Sequence, residues 1–346
     1  QSTDFAGANL TQAFFEGADL KGTQFIGANL TQVDFTNADF SAFDDGNGSQ
    51  LISSSFAGAL LLNANLVNTN VQGANFSTAN LHRANLEGLV ATPVFNVYEN
   101  FNTPTEFRDT NLTQARLNGA DFSGAILTNA ALSGSYATDF AIVTFDRADL
   151  GSAQLVSVSL QGASFAGLYA PNSNWTNATL DSADFSVTDD SADIFYVNLR
   201  SATFVQASLL DANFNGADLT GANFSGAQLV NAQMSSEDVL SDTVFISLRG
   251  ANLMDANLNG ANLVGANLDI ANLANADLTS ANFTNATLAG ANLMFANLNG
   301  ADLTNANLDR AQFLDTVDLS NTTFSNTICP SGLNSDDNGL SCDGQL

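Results

Sequence analysis

Few side chains in this chain could do chemistry. It has one histidine, two cysteines, one lysine and seven arginines among 346 residues. His82 follows Leu81, and no serine or carboxylate stands at a spacing that marks it as a partner, so the pair or triad needed for acid-base or nucleophilic catalysis is missing. Lys21 precedes Gly22, not the Ser or Thr of a phosphate-binding loop, and a lone histidine cannot build a His-rich metal centre. The expectation is therefore no catalytic residue and no resident cofactor. Cys329 and Cys342 lie 13 apart near the C-terminus, which suits a local disulfide better than a four-ligand zinc site, with reduced structural thiols as the other reading. Between them, Asn334, Asp336 and Asn338 followed by Gly339 imitate the opening of a calcium loop. Gln345 stands where a bidentate Glu belongs, so the segment reads as a calcium site or as an Asx-turn inside a disulfide loop.

The elements that position these residues must be built from an unusual composition. Apolar residues make up 45% of the chain, enough to bury a core, while charged residues are 12% and leave a net charge of −27. The surface is then largely Asn, Ser, Thr and Gln. So acidic a surface repels phosphates and anionic lipid, and neither a nucleic-acid ligand nor membrane insertion is expected. No run of 18 apolar residues occurs.

The positioning device is an internal repeat. From Gly250 the chain reads Ala-Asn-Leu-Met-Asp, Ala-Asn-Leu-Asn-Gly, Ala-Asn-Leu-Val-Gly, and it holds this five-residue step to Phe313. In an extended segment alternate side chains share a face, so Ala and the central Leu or Phe point inward and the Asp or Asn between them outward. The other two places, often Asn-Gly, Ser-Gly or Thr-Asn, are turn chemistry, and a bend every five residues closes a coil. The aspartates Asp19, Asp39, Asp121, Asp149, Asp184, Asp218, Asp277 and Asp302 fill the outward slot, where solvation and defence against aggregation are their expected roles. This pattern resembles the pentapeptide-repeat family over nearly the whole chain. The resemblance implies an all-β, right-handed quadrilateral β-solenoid with four pentads per coil; the spacing itself does not set the number four.

Central positions run from Phe5 to Phe40, Leu51 to Leu86, Phe107 to Leu132, Phe140 to Phe185, Leu199 to Met234 and Leu248 to Phe313, then Leu319 and Phe324. These 56 pentads predict about fourteen coils over residues 1–327, with a disulfide-closed tail over 328–346. Insertions near 41–50, 87–106, 186–198 and 235–247 each follow a multiple of four pentads, which predicts that they leave from one edge. Two smaller slips, after Leu132 and Phe313, fall at the opposite corner. Phe5, Phe15, Phe25 and Phe35 are expected to stack in the core, and Trp175 to borrow volume from the preceding small Ala170.

The insertions carry aromatic and acidic residues suited to a protein interface: Phe43, Asp44, Asp45, Phe95, Tyr98, Phe101, Asp189, Asp193, Tyr196, Asp238, Asp242 and Phe245. Two of them match without gaps 49 residues apart, Asp189, Asp193, Tyr196, Leu199 and Arg200 against Asp238, Asp242, Phe245, Leu248 and Arg249. Arg108, Arg200 and Arg249 mark the return to the solenoid and are expected to pin their loops through a carboxylate such as Asp193 or Asp242. The Cys-Pro-x-Gly tail is similar to those ending some exported bacterial members of the family. With Gln1 in place of Met and a paired cysteine count, it leads to an expectation of export to an oxidising compartment. The expected function is a non-enzymatic scaffold, self-associating through the solenoid ends and contacting a protein partner on the loop face. Two other classes fit the composition. One is an acidic DNA mimic acting on a type II topoisomerase, as the resemblance implies; the other is a surface that binds ice or polysaccharide.

Overall fold

The computed structural model describes residues 3–44, 51–96, 101–137, 142–189, 194–239, 242–313, 317–338 and 342. The chain divides into two compact units, Gln1–Tyr169 and Ala170–Leu346. Each is a four-sided β-solenoid, and no α-helix occurs among the described residues.

The number four comes from backbone pairing. Asp4 bridges Gln24, Asn9 bridges Asn29, Phe14 bridges Asp34 and Asp19 bridges Asp39, all parallel, so the chain meets itself after four outward residues. Central N–H groups then donate to the carbonyl one coil on, as Phe25 does to Ser55 at 2.7 Å, which satisfies backbone that would otherwise be buried unpaired. At each corner the second residue after the central one takes a positive φ, near 60° at Gln12 and Gly27. Asn, Asp and Gly tolerate that conformation, which explains their recurrence at the corners.

The outward Asp and Asn residues have a structural role that the pattern alone did not disclose. Their Oδ1 accepts the N–H two residues later, as in Asp34 to Thr36 at 3.0 Å and Asn282 to Thr284 at 2.9 Å, an Asx-turn that starts the bend. Amides in the same slot also bond between coils: Asn252 donates to Asn223 at 3.1 Å, Asn272 to Asn252 at 3.0 Å and Asn292 to Asn272 at 2.9 Å. Inside, Ala and Leu or Phe are buried at almost every pentad. Phe5 stacks on Phe25 (5.2 Å) and Phe15 on Phe35 (5.3 Å), and the first column continues through Phe56, Phe76 and Phe107. Where Thr replaces the inward Ala at positions 69 and 110, its hydroxyl donates to a carbonyl of the preceding coil, Thr69 to Phe35 and Thr110 to Phe76. Trp175 is fully buried, stacked on Phe204 at 5.8 Å, with its Nε1 donating to Ser173 Oγ at 2.7 Å. The small Ala170 and the buried Ser173 make the room.

All four larger insertions are antiparallel hairpins: β1 (Phe43–Asp44) with β2 (Leu51–Ile52), β3 (Val94–Asn96) with β4 (Phe101–Thr103), β5 (Thr188–Asp189) with β6 (Ile194–Phe195), and β7 (Glu237–Val239) with β8 (Asp242–Val244). Three sequence assignments are corrected. Leu51 belongs to β2 and the solenoid resumes at Phe56, whose preceding Ser55 bridges Gln24. The solenoid continues beyond Leu86 through Val90 and Ala91, so the second insertion begins later than expected. Tyr136 bridges Arg116 and Ser159, which puts Ala137 in a central slot and moves the small slip one corner onward from Leu132; Phe140 lies outside the described residues. The cause is common to Ala91 and Ala137: a small central residue carries no hydrophobic mark. Because one slot is lost and one gained in each case, the phase of the later coils is unchanged. At the other end Ile328 bridges Asn307 and buried Cys329 occupies a central slot, so the repeat register runs into the tail.

Candidate functional site

In the first unit β1–β2 and β3–β4 both leave between the face of Phe40, Val71 and Ala91 and the face of Phe56, Phe76 and Phe107. They share an edge. In the second unit β5–β6 and β7–β8 both leave between the face of Phe185, Phe214 and Met234 and that of Leu199, Leu219 and Leu248, again one edge. Glycines seat the hairpins of the first unit. A Cβ on Gly22 would lie 2.8 Å from both Ile52 Cγ2 and Phe43 Cε1, and one on Gly124 would lie 2.7 Å from Pro93 Cγ.

Of the residues expected on this face, Asp44 is exposed, Phe43 half-buried, and Tyr196 and Phe245 are 56% and 68% exposed. Phe95, Phe101, Asp189, Asp238 and Asp242 are placed by their backbone in β3, β4, β5, β7 and β8. Asp45, Tyr98 and Asp193 lie outside the described residues. Beside Phe245 an open groove of roughly 730 Å³ is lined by Ser236, Val264, Gly265, Asn267, Asn285 and Thr287.

Asp193, one of the carboxylates expected to pin these loops, lies outside the described residues, and the arginines make the following contacts. Arg200 Nη1 meets Asp218 Oδ2 at 3.0 Å, a carboxylate of the next coil rather than of its own loop. Arg108 approaches Glu106, the first bridging residue after β4, at 3.8 Å and donates to Thr128 of the next coil at 3.4 Å. Arg249 is exposed and makes no ion pair among the described residues. The reason is geometric: the residue after a central position projects along the face toward the outward slot one coil on. Lys21 to Asp39 (3.0 Å) and Glu87 to Arg116 (3.2 Å) use the same step. Asp39 pairs its charge with Lys21, and this contact raises the lysine pKa; on Asp39 burial works upward, but the N–H and hydroxyl of Ser41 together with Lys21 hold the carboxyl below its ordinary range. A base followed 18 residues later by an acid is the sequence signal that would have found both Lys21–Asp39 and Arg200–Asp218.

His82 Nδ1 lies 2.8 Å from Thr113 Oγ1, a link between coils and not a catalytic pair. In the tail, Cys329 and Cys342 form a disulfide with Cα atoms 5.5 Å apart. Asn334 Oδ1 accepts the Asp336 N–H at 2.9 Å, Asp336 Oδ1 accepts the Asn326 N–H at 2.7 Å, and Asn338 ends the short 3-10 turn of Ser335–Asn338. The first of these bonds is an Asx-turn, and the second ties the tail to the preceding coil. No cluster of three His, Cys, Asp or Glu residues poised for a metal occurs among the described residues. Ile328 pairs antiparallel with Asn334, so the tail folds back over the last coil.

Coils of four pentads with Asx-started corners and an Ala-Leu/Phe core define a quadrilateral β-helix of pentapeptide repeats. The family model for pentapeptide repeats matches in eight copies, over residues 3–41, 47–88, 105–140, 159–189, 198–235, 244–269, 271–310 and 288–328. The chain belongs to this family, whose fold is the right-handed quadrilateral β-helix. Among solved structures it is similar to HetL, a pentapeptide repeat protein involved in heterocyst differentiation regulation from the cyanobacterium Nostoc sp. strain PCC 7120, with 25% identity over 78% of this chain and 92% of that one, TM-score 0.41. QnrB1, a plasmid-mediated fluoroquinolone resistance protein, shares 18% identity over 70% of this chain and 89% of its own, TM-score 0.39. A pentapeptide repeat protein of the Arabidopsis thaliana thylakoid lumen shares 29% over 37% of this chain and 76% of its own, TM-score 0.19. No curated protein matches the chain.

Proposed function

We propose that the protein is a non-catalytic recognition scaffold whose hairpin-bearing edges contact a partner while the coils serve as a rigid support. The observation that carries this reading is the shared edge: in each unit two hairpins leave from the same corner, and in the second unit Tyr196 and Phe245 stand exposed where they return. A solenoid needs neither hairpin to close its coils, since the flanking strands pair directly, as Asn70 does with Asp39 and Val90. Photo-cross-linking in the native host tests it. Benzophenone side chains at Tyr196 and Phe245 should give adducts, and one at the exposed corner Asn275 should not; adducts spread evenly over all three positions would overturn the reading.

The scaffold also self-associates, in our proposal, through Phe14, an outward-facing ring that is 83% exposed. A second copy packed against it would bury that apolar surface. Light scattering across a concentration series should show association that Phe14→Asp weakens, whereas a monomer at every concentration rules it out. An exported, oxidising location fits the Cys329–Cys342 disulfide and belongs to the same proposal.

A further inference from the structure

Tyr196 and Phe245 hold equivalent places in the second unit, each three residues before a central leucine of the same face, Leu199 and Leu248. Asn198 bridges Asp218 and Asp218 bridges Ser247, so the two rings rise from positions two coils apart, about 9.5 Å along the axis at the ordinary interstrand spacing. Beside Phe245 the groove has Gly265 in its wall, where a Cβ would come 3.1 Å from Ser236 Oγ, and uncharged polar groups around it. Asn267 and Asn285 employ Oδ1 in their own bonds, to the Asp269 N–H and from Asn305 Nδ2. Neither amide donates an N–H among the described residues, so both NH₂ groups are free to face a ligand.

This surface discriminates between classes of partner. A protein interface needs a contiguous apolar centre, and two rings two coils apart do not supply one, the amides and hydroxyls of the groove lying beyond Phe245 on the side away from Tyr196. Anionic polymers are disfavoured by a net charge of −27. A neutral sugar chain offers what the surface lacks, C–H faces to lie on aromatic rings and hydroxyls to accept from amides. We propose that the second unit's hairpin edge binds an extended, neutral, β-linked polysaccharide, with Tyr196 and Phe245 each stacked on a sugar ring and Asn267, Asn285, Ser236 and Thr287 bonding to hydroxyls. The two-coil interval is close to the length of two pyranose rings in an extended chain, so rings of the same orientation meet the two aromatics. The inference rests on the reading of the hairpin edge as the recognition surface.

The test is calorimetric titration of the full chain with neutral β-1,4-linked oligosaccharides of increasing length, with an alginate oligomer of matched length for comparison. Affinity should step up once the oligomer spans both rings, and the alginate should not bind. Tyr196→Ala and Phe245→Ala should each weaken the long oligomer by about tenfold, the worth of one stacking contact, and Phe245→Trp should retain it. The proposal is overturned if no neutral oligosaccharide binds, if binding ignores both alanine variants, or if the step with length is absent. In any of those cases edge-specific photo-adducts on a protein would leave the scaffold reading standing, and their absence would remove both.

Discussion

Gly22 and Gly27 occupy equivalent corner positions with φ of +67° and +61°, yet their surroundings differ. Around Gly27 nothing lies within 4 Å of an added Cβ, whereas at Gly22 that atom would sit 2.8 Å from both Ile52 Cγ2 and Phe43 Cε1. Alanine at either site meets the left-handed penalty of about 1 kcal/mol. At Gly22 it must also push back the base of the first hairpin, where Phe43 pairs with Ile52, and such overpacking costs roughly 1–3 kcal/mol more. Gly22→Ala is therefore expected to lose about 2–4 kcal/mol and Gly27→Ala about 1. Urea unfolding gives the difference, and hydrogen exchange locates it: faster exchange of amides 43–44 and 51–52 in Gly22→Ala, and none in Gly27→Ala. Ile52→Ala removes one of the two opposed atoms, so in combination with Gly22→Ala the losses should fall short of additive. Equal destabilisation by the two glycine variants, or unchanged exchange in the hairpin, would refute the view that the glycine corners seat the hairpins.

Cys342→Ala should cost the tail about 3 kcal/mol, the loop-closure worth of a bridge across so short a segment, and speed exchange at Thr327 and Ser335; unchanged protection of those amides counts against the tail as a cap. Trp175, the sole tryptophan, should emit as a buried indole, and Trp175→Ala should cost about 3–5 kcal/mol by calorimetry. Asp34, lowered by the hydroxyl and N–H of Thr36, and Asp39, lowered by Ser41 and Lys21, have folded pKa values below their unfolded ones. Their stabilisation is present above about pH 4 and is lost as pH falls through the folded values. Melting curves of Asp34→Asn and Asp39→Asn should accordingly show a shallower acid limb than the parent. Lys21 has the opposite sign: its contribution holds below about pH 10.4 and disappears as pH rises through its raised pKa.

Much of the solenoid was legible because its code is local. Inward Ala and Leu or Phe, an outward Asp or Asn, and two turn residues decide the direction of each side chain within five residues, and the positions of insertions follow from where that code lapses. The same locality explains what could not be read. Ala91 and Ala137 fill central slots without a large apolar side chain, and Leu51 has such a side chain but pairs in a hairpin. The roles of outward residues depended on neighbours 18 to 31 positions away: Arg200 finds Asp218, and Asn65 finds Asp34 at 3.1 Å. The Asx-turn lay within reach of sequence reasoning, since Asp34 and Thr36 are two residues apart, and was missed because a solvated carboxylate explained the pattern equally well.

The sequence by itself determined that the chain coils, which side chains of the regular pentads go inside, and how many times the coil is interrupted. Tertiary structure decided the rest. Four pentads close a coil because Asp4 must reach Gln24 before its strand is paired, a condition on backbone geometry that five-residue spacing does not contain. Pairing between coils, not the identity of the loops, brings both hairpins of each unit to one edge and sets Tyr196 two coils from Phe245. A pentad fixes a direction, and only the closed ladder turns that direction into a position.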